Sequence, residues 1–223
     1  MNDQNIRAHA QREFEITSAE FDKSQPQTSL ISFYRRLDSL NEAVISKSAT
    51  KPVCRAGCSY CCYYKVEVQA IEVLSIQSFV LSRFKPEQIK EVMSQAARNV
   101  DEAKDLTQAE QIAINQKCPF LLKDECSIYP VRPSRCRNFH ATDVQGCKDS
   151  FEDPNFDPPN SYVSELFEVA NGSAMGFEQA LDSVGIDSRV YDLNSAFLEA
   201  MKNSALGKRL KSGKKVFLCA KVV

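Results

Sequence analysis

A chain of 223 residues, 43% hydrophobic and 26% charged, is long enough and apolar enough to bury a core. Its net charge of −1 gives no overall attraction to nucleic acid or to an anionic membrane. Seven glycines and no tryptophan argue against an all-β sandwich with its many tight turns.

The start, Met1-Asn2-Asp3-Gln4-Asn5-Ile6-Arg7, lacks the apolar core of a secretory signal. No stretch is apolar for long enough to span a bilayer; residues 70–84 are too few and contain Glu72 and Arg83. A cytoplasmic chain is expected. Thr17-Ser18-Ala19-Glu20 has capping-box spacing and predicts a helix start. Leu30, Phe33, Leu37, Leu40 and Val44 recur every three or four residues, which predicts an amphipathic helix closed off by Pro52. Residues 54–62, with four cysteines and Gly57, predict a knuckle loop, and Val66-Glu67-Val68 a short strand. A buried helix over 70–83 follows, with Val73, Leu74, Gln77 and Leu81 at helical spacing.

Pro86 suits the first turn of a further helix reaching about residue 106, and Thr107-Gln108-Ala109-Glu110 is a second capping box. Lys123-Asp124-Glu125 lies between two apolar runs and predicts a hairpin with Cys118 on one arm and Cys126 on the other. Arg132-Pro133 opens a helical turn at Cys136. Residues 153–159 hold three prolines and separate the cysteine region from helices predicted over 162–181 and 191–201. From Lys202 onward there are seven Lys or Arg and no acid, which reads as a solvated basic arm.

The expected fold is mainly α: a helical scaffold around an irregular, cysteine-rich metal-binding module with a small β-hairpin. Its parts are an N-terminal helical arm (1–51), the module with inserted helices (52–150), and C-terminal helices with a basic tail (151–223), together one compact unit.

Nine cysteines in a reducing compartment need a reason, because disulfides are disfavoured there and an odd count leaves one over. Eight fall in two blocks. Cys54, Cys58, Cys61 and Cys62 form C-x3-C-x2-C-C; Cys118, Cys126, Cys136 and Cys147 form C-x7-C-x9-C-x10-C. Short spacings let a loop curl so that several sulfurs face one point about 2.3 Å away, as a metal requires. Four cysteines within nine residues exceed what core packing alone produces. These eight are the candidate metal ligands. Adjacent residues of an extended chain point apart, so the sulfurs of Cys61 and Cys62 are expected to diverge unless a turn intervenes. Arg132, Arg135, Arg137 and Lys148 flank the second block and are candidates to offset thiolate charge, with ordinary solvation the alternative for Arg135. His140 is a candidate to replace a cysteine or to hydrogen-bond a thiolate, a local polar role being commoner. Cys219 stands apart and reads as a spare thiol.

The first block, together with Cys118-Pro119-Phe120-Leu121, Cys126-x-Ile128-Tyr129 and Arg132-Pro133-x-x-Cys136-Arg137-x-Phe139, resembles a bacterial cysteine-cluster family described as a putative zinc- or iron-chelating domain. Its wider relatives include flagellin lysine N-methylases. The resemblance covers about residues 52–147 and implies a metal-chelating module. It tips Arg132 and Arg137 toward a place beside the thiolates.

The cofactor is an iron–sulfur cluster or zinc. All-thiolate ligation suits both, and the balance leans to iron–sulfur. Cys54, Cys58 and Cys61 share the C-x3-C-x2-C spacing of radical S-adenosylmethionine enzymes, but no strand–helix repeat of a barrel follows. The leading function is metal binding for redox, sensing or metal handling. The alternatives are a protein-modifying enzyme, lysine N-methylase-like, that uses the cluster, and a structural zinc module for a partner protein. No membrane partner is expected, and nucleic acid is the weaker reading of the basic tail.

Overall fold

The computed structural model describes residues 2–55, 57–156, 162–203 and 205–222. Ten α-helices and two two-stranded antiparallel sheets are found among them, so the fold is mainly α with a small hairpin, as expected.

The first helix, α1 (Asp3–Phe21), is capped by Asn2, whose side chain accepts the Gln4 N–H. The box at Thr17-Ser18-Ala19-Glu20 does not start a helix; it lies inside α1. Tertiary partners take those groups instead. The Thr17 hydroxyl donates to Glu13, and Glu20 pairs with Arg36 at 2.6 Å. Arg36 belongs to α2 (Pro26–Lys47), whose Pro26 sits in the first turn and whose Leu30, Phe33 and Leu37 are fully buried.

After the first cysteine block, β1 (Glu67–Gln69) leads directly into α3 (Ala70–Arg83). The helix bounds agree with the sequence reading, but the buried face is rotated. Val80 is buried and Leu81 is 57% exposed. Ala70, Ile71, Val73, Leu74, Ile76 and Val80 face the core. The chain continues through α4 (Pro86–Ala103) and α5 (Gln108–Ile112), where the Thr107–Glu110 capping box is formed in both directions. The hairpin is β2 (Leu121–Leu122) with β3 (Glu125–Cys126). Its two loop residues, Lys123 and Asp124, have φ of 52° and 60°, the left-handed pair of a type I′ turn.

Short helices α6 (Ser134–Arg137) and α7 (Val144–Glu152) precede α8 (Ser164–Ser183). Residues 157–161, part of the proline-rich separator, lie outside the described residues. The strand β4 (Val190–Asp192) pairs with β1, Val68 opposite Tyr191. The expected helix over 191–201 therefore begins two residues later, as α9 (Leu193–Lys202). The basic tail is not a solvated arm. It forms α10 (Leu206–Leu210) and buries Leu206, Leu210, Val216, Phe217 and Ala220. Glu199 accepts the backbone N–H groups of Leu218, Cys219 and Ala220, and Asp187 accepts that of Val216. The sequence pattern of charges concealed an apolar period.

One hydrophobic cluster joins α2, α3, α4, α8, α9, α10 and the hairpin, with Phe33 stacked on Phe177 at 4.3 Å. α1 crosses α8 so closely that a Cβ on Gly172 or Gly176 would collide with the backbones of Ile6 and Ala10. Gly176→Ala is accordingly expected to destabilise the fold by about 1–3 kcal/mol, the usual cost of forcing helices apart, read by urea unfolding. An unchanged midpoint would show that the crossing can relax.

Candidate metal centre

The eight block cysteines come from four separate pieces of chain. Cys54 and Cys58 lie in the loop after α2, and Cys61 and Cys62 occupy a 3-10 turn, Tyr60–Tyr63. In that turn Cys62 lies near enough to Cys61 to raise its thiol. The Cys118 N–H donates to the Cys62 carbonyl at 2.7 Å and the Gln116 N–H to the Tyr63 carbonyl at 2.9 Å, which tie the second block's start to this turn. Cys126 follows through the hairpin register, opposite Leu121.

Cys136 rides on α6, whose N-terminus is fixed by a buried acid. The Glu72 carboxylate, 1% exposed, accepts the Ser134 N–H at 2.8 Å, the Tyr34 hydroxyl at 3.0 Å and the Gln69 N–H at 3.0 Å. Arg137 is also buried. It donates to the Arg132 and Pro130 carbonyls, pairs with Asp38 at 2.6 Å and stacks on the Tyr34 ring. These bonds hold the Cys136 turn against α2 and α3.

Cys147 lies on α7, a helix not foreseen from sequence. α7 packs on the 3-10 turn through Phe151, which meets the rings of Tyr60 and Tyr63 at 5.7 and 4.9 Å. The stretch entering α7 is laced to the first block: the Val53 N–H donates to the Ala141 carbonyl at 2.8 Å, and the Ala141 N–H to the Cys54 sulfur at 3.4 Å. The helix that carries Cys147 is thus joined to the first block, although its sequence position groups that cysteine with Cys118, Cys126 and Cys136.

The electrostatics follow the same division. Burial pushes the Cys147 thiol up to about 11, helped by the charges of Cys54, Cys58 and Cys61. Burial pushes Cys118 up to about 12, helped by Cys126 and Cys61. Cys136 is raised by burial, then by Cys118, Cys126 and Cys61. Cys54 is raised by burial and eased by the Ala141 N–H. Cys61 is raised first by its bond to Cys62 and then by burial. Cys61 bears on thiols of both divisions. Among the described residues, no three His, Cys, Asp or Glu side chains are close enough together to enclose a metal ion.

Of the flanking cations, Arg132 lowers Cys61 and Cys126, while its guanidinium covers the Tyr129 ring at 3.7 Å. Arg135 pairs with Glu67 and Lys148 with Glu152, each at 3.6 Å, so both are spent on the surface. Burial and Arg132 hold the His140 imidazole below its ordinary range, the Arg137 backbone opposing them. Among the described residues, four buried side-chain nitrogens have no hydrogen-bond partner: Arg132 Nε, His140 Nε2, Lys65 Nζ and, in the tail, Arg209 Nε. Sequence reasoning missed Glu72, Tyr34 and Asp38. The one legible sign of Glu72 is an acid at the third position of its helix, where a capping-box carboxylate sits.

Residues 53–159 match the family model described as "Putative zinc- or iron-chelating domain". Over those residues the chain is similar to this family. The match spans a little under half of the chain and takes in all eight block cysteines, reaching beyond the 52–147 of the sequence resemblance. No curated protein and no solved structure matched the chain. Among the described residues, no helix is long and apolar enough to cross a membrane.

Proposed function

We propose that this domain holds an iron–sulfur cluster or zinc through Cys54, Cys58, Cys61, Cys62, Cys118, Cys126, Cys136 and Cys147, in the service of redox chemistry, sensing or metal handling in the cytoplasm. The single observation that carries the reading is the match of residues 53–159, with all eight of these cysteines, to the zinc- or iron-chelating family model. The surroundings fit such a group. Thiols raised by burial and by one another become thiolates readily only when positive charge arrives, which a metal supplies. The resulting site carries excess negative charge, and the unpartnered Arg132 Nε, beside Cys61 and Cys126, can meet it. Iron–sulfur comes first of the two because Cys118-Pro119 repeats the cysteine–proline step of bacterial ferredoxins.

The fold suggests how the ligands divide. Cys54, Cys58 and Cys147 form one set and Cys118, Cys126 and Cys136 the other, with the Cys61–Cys62 pair between them offering a fourth thiol to each. Cys219 is exposed at the far end of the tail and takes no part. Cys219→Ser is expected to leave the metal content of anaerobically purified protein unchanged, as read by elemental analysis; a drop would bring the tail into the centre.

A further inference from the structure

A second site lies away from the cysteines, where α1 and α2 leave a cleft of about 330 Å³ with Ser173 of α8 among its lining residues. That volume is at the small end of ligand pockets. Three arginines line it: Arg12 from α1, Arg35 and Arg36 from α2. Arg36 is committed, gripping Glu13 through two nitrogens and Glu20 through a third contact. Glu13, the cleft's one carboxylate, is thereby spent, its Oε1 also accepting the Thr17 hydroxyl at 2.6 Å. Arg12 and Arg35 have no ion-pair or hydrogen-bond partner among the described residues. Arg35 also borders the neighbouring groove, but the acid there, Asp38, is taken by Arg137 at 2.6 Å. Two guanidinium groups lining one cleft, with the acids that line it and the neighbouring groove already engaged, leave planar donor forks suited to oxyanions. Beside them Ile16 and Leu40 give half-buried apolar walls, and Ser39 and Ser173 add hydroxyls.

We propose that this cleft binds a small organic oxyanion, Arg12 and Arg35 holding the charged group and Ile16 and Leu40 the compact apolar part. The site is independent of the metal centre. Phenyl phosphate is the probe, titrated calorimetrically into the full chain purified with its metal. Saturable binding of one equivalent is expected, with inorganic phosphate binding at least about threefold more weakly because it leaves the apolar walls wet. Changing Arg12→Gln and Arg35→Gln together is expected to weaken phenyl phosphate at least about tenfold, since two charge-assisted contacts are lost. Both side chains are exposed and unpartnered, so thermal midpoint and metal content should hold. No saturation by 10 mM probe (roughly the weak limit of specific binding), undiminished affinity in the double variant, or equal affinity for inorganic phosphate would each overturn the proposal.

Discussion

Cys147→Ser is expected to expose Cys54 and Cys58 to alkylation while Cys118, Cys126 and Cys136 stay protected. The lacing of residues 53–54 to Ala141 and the packing of Phe151 against the Tyr60–Tyr63 turn carry α7 to the first block. Cys136→Ser should do the reverse, because Cys136 shares its surroundings with Cys118 and Cys126. Thiolates bound to metal react slowly with alkylating reagents, so peptide mass spectrometry after a short iodoacetamide pulse reads the division directly. Each single variant should keep about half of the bound metal, since one of two four-thiolate sets survives. Replacing Cys61 and Cys62 together removes the fourth thiol from both sets and should take metal below about a tenth of the wild-type content. If Cys147→Ser instead exposes Cys118, Cys126 and Cys136, the sequence blocks are the true ligand sets and the interleaved arrangement is wrong.

Glu72→Ala is expected to cost about 3 kcal/mol and to lower the thermal midpoint by roughly 6–12 °C. The carboxylate accepts three hydrogen bonds from α2, from the residue before α3, and from the first turn of α6, all where water has little access. Truncation leaves the Tyr34 hydroxyl and two backbone N–H groups without acceptors, and each unsatisfied buried donor costs about 1–3 kcal/mol before relaxation. Because α6 carries Cys136, the same variant should speed alkylation of Cys136 over that of Cys58. A midpoint within about 2 °C of wild type would mean that water replaces the carboxylate, and α6 would then need another anchor.

Much of the scaffold was legible because its signals are local. The apolar spacing of Leu30, Phe33 and Leu37, the Thr107–Glu110 box and the hairpin around Lys123-Asp124 each depend on residues a few places apart. Readings failed where a distant partner decides. Thr17 and Glu20 have capping chemistry, but Glu13 and Arg36 claim them. Val80 rather than Leu81 is buried because neighbouring elements choose the face of α3. The tail's lysines masked Leu206, Leu210 and Phe217, which dock only because Glu199 and Asp187 bind its backbone. For the centre, the eight cysteines were visible as candidates, but their spatial sorting was not. Sequence spacing groups Cys147 with Cys136, whereas the bonds of Ala141 to Val53 and Cys54 and the packing of Phe151 join its helix to the first block. Nothing local marks Asp38 as the partner of Arg137, 99 residues away.

The most direct measurement is iron, zinc and acid-labile sulfide per chain in anaerobically purified wild-type protein, taken with its visible spectrum and compared with the Cys61→Ser/Cys62→Ser variant. The account predicts metal bound to the wild type and nearly absent from the variant. It further predicts a brown protein with iron and sulfide in comparable amounts that bleaches on reduction. Colourless protein carrying zinc alone would leave the thiolate centre standing and remove the iron–sulfur assignment. Wild-type protein holding no more metal than the variant would contradict the central claim.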